Sequence, residues 1–142
     1  MATTLRIALA GCGVVGSELV RLISARHPSE LSITSVLVRD TTKERAVPLA
    51  RSLFTDNITR FLASDADVFV EAIGGLSPAQ HIARHSLVRG KRFITANKAL
   101  LAHSGDTLLA LARRTGAGID FEAAVGGGVP VVRALRHSLR NV

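Results

Sequence analysis

The sequence contains no tryptophan and no tyrosine, and its aromatic content is five phenylalanines in 142 residues. Surfaces that grip a ligand or a base by stacking on large rings are therefore not what this chain offers. Its one cysteine, Cys12, rules out an intrachain disulfide. No apolar run reaches the roughly 18 residues of a membrane-spanning helix, and the opening MATTLRIALAG is a strand pattern, not a signal peptide. A cytoplasmic setting with no membrane partner is the expectation. Acidic residues are also in deficit, 11 against 18 lysines and arginines, for a net charge of +7. That balance suits an anionic ligand or a piece of a more acidic whole. It does not make a nucleic-acid partner the expectation, because no recognition motif accompanies the charge. Arg133, Arg136 and Arg140 share one face of a terminal helix and read as a solvated row.

What is present is a core. Apolar residues make up 47% of the chain, enough for one domain of this length. Short apolar runs at residues 5–10, 33–38, 67–73, 92–95 and 118–123 read as strands. Between them, residues 14–27 and 108–114 show helical spacing, and Ser77-Pro78 reads as a hydroxyl cap with proline at the first helical position of a helix ending near Gly90. Residues 41–66 are the least legible, with a short helix expected over 47–54. Pro130 opens a last helix. Strands alternating with helices imply parallel strands joined by right-handed crossovers. The expected class is a doubly wound, mostly parallel α/β sheet with helices on both faces. Ligands of such folds sit beyond the carboxyl ends of the strands.

Gly11-Cys12-Gly13-Val14-Val15-Gly16 follows the first strand and opens the first helix. In that context G-x-G-x-x-G is the dinucleotide fingerprint of a Rossmann-type domain. Gly11 allows the turn, Gly13 lets backbone approach a pyrophosphate, and Gly16 lets helix and strand pack closely. Val14 and Val15 stand at the helix N-terminus, where N–H groups favour phosphate. Cys12 has no visible activating partner and reads as a small filler. At the second strand's exit, Arg39 could pair with the 2′-phosphate of NADP, whereas Asp40 could accept from the ribose hydroxyls of NAD. Arg39 favours NADP, or use of both dinucleotides, and Lys43 could add charge. Gly74 and Gly75 close the third strand, where a flat ring or phosphate could approach the backbone. Glu71 beside them would need a partner if buried. Lys98 follows the fourth strand, where its compact charge could polarise a substrate oxygen or pass a proton; a surface lysine is the plain alternative.

Thr95-Ala96-Asn97-Lys98-Ala99-Leu100-Leu101 resembles the T-A-N-K-A-L-L hallmark of the homoserine dehydrogenases. Residues 122–130, EAAVGGGVP, are similar to that family's E-A-x-V-G-G-G-I-P, with Val129 in place of isoleucine, and residues 70–75, VEAIGG, to its V-E-x-I-G-G. Val38-Arg39-Asp40 matches a common ending of its second strand. The resemblance implies reversible hydride transfer between L-homoserine and NAD(P)⁺, giving L-aspartate 4-semialdehyde, within threonine, methionine and isoleucine biosynthesis. It implies that Lys98 is the active-site lysine and that Thr95 and Asn97 line the nicotinamide side. It also implies a sodium site formed by the backbone carbonyls of Glu122, Val125, Gly127 and Val129; a simple glycine turn is the alternative.

The family's substrate domain, with its G-x-x-N-G-T motif and second catalytic lysine, has no counterpart here. The expected organisation is a NAD(P)-binding domain over residues 1–129, with residues 130–142 starting a helix towards a missing domain. That missing domain would make a homodimer or tetramer. On this expectation the chain binds cofactor without turning over homoserine. A non-catalytic module that senses dinucleotide is the competing reading.

Overall fold

The computed structural model describes residues 4–138; Arg140, placed by the sequence on the terminal helix, lies outside them. The chain divides into two compact units, Met1–Ile73 and Gly74–Val142.

In the first unit, strand β1 (Leu5–Ala10) leads through the glycine loop into helix α1 (Val14–Arg26), then β2 (Leu31–Leu37). A 3-10 turn (Arg51–Leu53), a two-residue β3 (Phe54–Thr55), α2 (Ile58–Leu62) and β4 (Val68–Glu71) follow. The strands lie in the order β3-β2-β1-β4, every pairing among them parallel. The register between β1 and β2 shifts after Ile7, where Thr34 is bulged and its hydroxyl donates to the Ile7 carbonyl at 3.3 Å. Leu9, Val20, Val36 and Val38 form a buried cluster on which Cys12, Leu19, Val47, Leu49 and Phe54 pack. Residues alternating along β1 and β2 thus meet the inner face of α1, which is the burial that amphipathic spacing encodes. Phe61 and Phe69 meet edge to face, centroids 5.8 Å apart.

The second unit contains α3 (Ala79–Val88), β5 (Arg92–Thr95), α4 (Lys98–Thr115), β6 (Ile119–Asp120), α5 (Glu122–Val125) and α6 (Val131–Ser138). Strands β5 and β6 pair in parallel, and α3 packs on α4 and on β5. Ile82, Leu87, Phe93, Leu100 and Leu108 are buried here.

Four expectations need correction. No helix covers residues 47–54; Leu49 and Val47 turn inwards from irregular chain, and only the 3-10 turn at Arg51–Leu53 is helical. Ser77 does not cap α3: Pro78 occupies the cap position, with no side-chain cap bond, and helix begins at Ala79. The helix expected over residues 108–114 begins ten residues earlier, at Lys98. The fifth strand is only Ile119–Asp120, because Glu122–Val125 coils into a helical turn closed by Gly126 N–H on the Glu122 carbonyl at 3.0 Å. Gly116 does stop α4, in the left-handed conformation that favours glycine.

Candidate functional site

The glycine loop is built from contacts that only its residue types allow. Gly11 has φ +96°, and a Cβ placed there would lie 2.7 Å from the Ala72 carbonyl oxygen, just past β4. Its own N–H donates to the Leu37 carbonyl at the end of β2 (2.9 Å). The turn after β1 is therefore seated against the ends of both neighbouring strands. A Cβ on Gly16 would meet the Gly11 carbonyl oxygen at 2.0 Å, so α1 starts against the turn itself. Around Gly13 nothing lies within 4 Å of a built Cβ. Gly13 is also the N-cap of α1, with no side-chain cap bond and no acid in the first turn. Open space thus faces helix N–H groups that no side chain satisfies, which fits an anionic ligand. Val14 and Val15 flank this space, 86% and 58% exposed. The half-buried Cys12 lies 3.5 Å from the Ser17 hydroxyl, and that hydroxyl donates to the Cys12 carbonyl at 3.2 Å.

At the exit of β2 the two alternatives separate. The Asp40 carboxylate accepts from the Thr42 N–H at 2.8 Å and from its hydroxyl at 2.6 Å. These bonds, first the hydroxyl and then the amide, hold its pKa below the usual carboxylate value. Asp40 is thus occupied within its own turn. Arg39 and Lys43 are exposed, and neither has an ion pair among the described residues. The buried Glu71, at the end of β4, accepts from the Ile73 N–H at 2.8 Å and so shapes the chain leading to Gly74.

In the second unit, Thr95 and Asn97 are buried and Lys98 is exposed. The Thr95 hydroxyl accepts from the Asn97 N–H at 3.0 Å. The Asn97 side chain does two things at once: its oxygen caps α4 by accepting from Leu100 N–H (3.0 Å), and its amide donates to the Gly75 carbonyl (2.6 Å). The structure therefore joins Gly75, Thr95, Asn97 and Lys98 in one constellation. Lys98 is the first residue of α4 and is exposed to solvent. Sequence reading missed the cap; Asn followed by two small or apolar pairs at helical spacing was the available signal.

The residues of the expected sodium site belong to the helical turn Glu122–Val125 and to the loop that follows it. The Glu122 carbonyl accepts from Gly126 N–H at 3.0 Å and the Val129 carbonyl from Val131 N–H at 2.8 Å. Two of the four expected carbonyls thus already accept a hydrogen bond. The Glu122 carboxylate instead accepts from Val132 N–H, at 3.1 Å, and from Arg133 N–H at the start of α6. No cluster of metal-binding side chains occurs among the described residues, and no described helix is long and apolar enough to cross a membrane.

Comparison with known proteins places this geometry. A family model described as the NAD binding domain of homoserine dehydrogenase matches residues 11–122. A homoserine dehydrogenase of Mycobacterium tuberculosis is 40% identical over 141 residues, 94% of this chain and 32% of that protein. One from Bacillus subtilis is 37% identical over an alignment of 146 residues, 96% of this chain and 34% of the relative. Among solved structures, a homoserine dehydrogenase from Thiobacillus denitrificans matches with a TM-score of 0.83 at 32% identity, over 99% of this chain and 34% of that one. The Staphylococcus aureus enzyme at pH 8.5 matches with 0.81 at 34% identity, over 88% and 33%. The Rossmann-type α/β class holds. The chain spans about a third of the length of the curated relatives it matches.

Proposed function

The chain belongs to the homoserine dehydrogenase family, as its NAD-binding domain, and we propose that it holds NADP in preference to NAD for the dehydrogenation of L-homoserine. The observation that carries this reading is the loop of residues 11–16. Its outer glycines are required by packing, while its middle glycine leaves open space at an uncapped helix N-terminus. That asymmetry is what a backbone cradle for a pyrophosphate needs.

The dinucleotide supplies the hydride acceptor when bound. The residues of this chain bind and orient. Gly13, Val14 and Val15 accommodate the pyrophosphate, and Arg39 reads the 2′-phosphate through its fork of donors. Gly74, Gly75, Thr95 and Asn97 serve the nicotinamide end. Lys98 holds the reacting hydroxyl oxygen of homoserine at Nζ and relays its proton to water as the hydride leaves for the dinucleotide. The helix start fixed by Asn97 sets where that ammonium stands. Sodium, at the carbonyls of Glu122, Val125, Gly127 and Val129, enters only through the family resemblance. The activity on homoserine, the cytoplasmic setting and the homo-oligomer belong to the whole protein that this domain serves.

Titration calorimetry of NADP⁺ and NAD⁺ with the wild-type chain and with Arg39→Ala tests the reading. A charge-assisted hydrogen bond contributes about 1.5–3 kcal/mol. Arg39→Ala should therefore weaken NADP⁺ by roughly ten- to a hundredfold and leave NAD⁺ nearly unchanged. Equal losses for the two nucleotides would refute the role of Arg39.

A further inference from the structure

The segment between β2 and the 3-10 turn has no regular structure, yet its path is held in place. Its own backbone makes two tight three-residue turns, Val47 N–H to the Arg45 carbonyl (2.8 Å) and Leu49 N–H to the Val47 carbonyl (2.9 Å). Val38 N–H still reaches the Thr55 carbonyl (2.9 Å), and beyond it side chains hold the stretch from Asp40 to Ala46. The Arg45 guanidinium donates to the carbonyls of Lys43 (2.9 Å) and Asp40 (3.0 Å). It also lies over the Phe54 ring of β3, 5.5 Å from the centroid. From the other side Arg21, on the helix that follows the glycine loop, donates to the Ala46 carbonyl at 3.0 Å and is itself paired with Glu18. Asp40 and Thr42 close the remaining turn. Two planar guanidinium groups thus clamp the backbone between residues 40 and 46, the stretch that carries Lys43 and follows directly on Arg39.

We infer that Arg45, with Arg21, is a positioning residue for cofactor discrimination: it preforms the loop from which Arg39 and Lys43 meet a 2′-phosphate. This rests on the dinucleotide reading above and extends it to residues that touch no part of the reacting system. Exposed long cations lose much rotamer freedom on gripping a ligand. A loop already fixed spares the backbone share of that ordering. The clamp also keeps Asp40 turned into its own hydrogen bonds. A carboxylate released there would repel a 2′-phosphate and accept from a free ribose hydroxyl, so loosening the clamp shifts preference towards NAD.

The test measures Kd for NADP⁺ and NAD⁺ by calorimetry on the full chain, as wild type, Arg39→Ala, Arg45→Ala, Arg45→Lys and Arg39→Ala/Arg45→Ala. Amide hydrogen exchange of residues 41–46 without nucleotide is followed in wild type, Arg45→Ala and Arg21→Ala. Arg45→Ala should weaken NADP⁺ by roughly tenfold, the scale of one charged hydrogen bond, with NAD⁺ affinity held or improved. Arg45→Lys, which cannot fork to both carbonyls, should not restore it. The double variant should discriminate no worse than Arg39→Ala alone. Exchange should quicken in both clamp variants. Equal losses for both nucleotides, or full rescue by lysine, overturn the inference, since a tether or a bare charge would then suffice. An Arg39→Ala variant that keeps its discrimination refutes the Arg39 assignment separately, and the Arg45 ratio still judges the clamp. A wild-type chain that binds neither nucleotide overturns both readings together.

Discussion

Gly16 approaches the preceding turn so closely that a Cβ on it would stand 2.0 Å from the carbonyl oxygen of Gly11. That carbonyl is backbone, seated between two strands, and cannot swing aside. Gly16→Ala should destabilise the chain by the upper end of the roughly 1–3 kcal/mol typical of overpacking, or more. Gly13→Ala meets nothing and should cost no more than about 1 kcal/mol, the difference between glycine and alanine at a cap. It should nonetheless impair dinucleotide binding, by filling the space next to the helix start. Urea denaturation and nucleotide titration of the two variants separate packing from binding; a Gly16→Ala chain as stable as wild type would contradict the geometry.

Asn97 combines a helix cap with a bond to the Gly75 carbonyl. Asn97→Ala should lose about 1 kcal/mol for the cap and about another for the deserted carbonyl. Asn97→Ser keeps a capping oxygen but no amide donor, and should recover roughly half of the loss. Lys98→Ala, one residue on and exposed, should stay within about 0.5 kcal/mol of wild type. Thermal unfolding of the three variants gives the order, and a Lys98→Ala loss as large as that of Asn97→Ala would contradict it.

Asp40 links acidity to the loop. Its folded pKa lies below the unfolded value, because the Thr42 hydroxyl and amide favour the carboxylate. The stabilisation it contributes is thus fully present above the unfolded pKa of about 3.9 and is lost as pH falls through the lower folded value. Thr42→Ala removes the leading cause. A carboxyl NMR titration should show the Asp40 midpoint rising towards the ordinary value in that variant; an unmoved midpoint would place the cause elsewhere.

Arg6 on β1 faces two acids of different worth. Asp67 accepts from the Arg6 amide (3.0 Å), its Nε (3.0 Å) and its terminal nitrogen (2.9 Å), while Asp65 meets one terminal nitrogen and is 80% exposed. Both raise the guanidinium pKa, Asp67 chiefly through its hydrogen bonds. Asp67→Ala should destabilise more than Asp65→Ala, because solvent screens the exposed pair. Chemical denaturation at low and high salt checks this, and the Asp65 effect should be the one that salt removes.

Where local pattern and burial coincide, the structure follows the sequence closely. Leu5–Ala10, Val14–Arg26 and Arg92–Thr95 stand where apolar spacing puts them. The glycine loop was legible for the same reason, since each glycine answers a local steric demand. The legibility fails where side chains replace periodicity. Residues 41–50 follow no repeat because arginine clamps and an Asx turn set their path. Lys98 reads as a loop residue because the start of α4 is decided by a single asparagine side chain and not by apolar spacing. The strand read over residues 118–123 stops short at Asp120, because the Glu122 carboxylate binds the N-terminus of the next helix and Glu122–Val125 coils into a turn. Coulombic and hydrogen-bond pairings between distant residues leave no such trace in one sequence.

Strand β1 is flanked on both sides, by β2 from Leu5↔Leu31 onward and by β4 from Ile7↔Val68 onward. During synthesis its two edges are therefore satisfied at different times. One closes within a single helical crossover, while the other waits until the segment ending at Glu71 has emerged. In that interval an apolar strand with an unpaired ladder is a template for any other extended chain. Closing the longer loop costs more chain entropy than closing the shorter one. The strand that leads into the glycine loop thus keeps one edge open while the chain up to Glu71 is still being made.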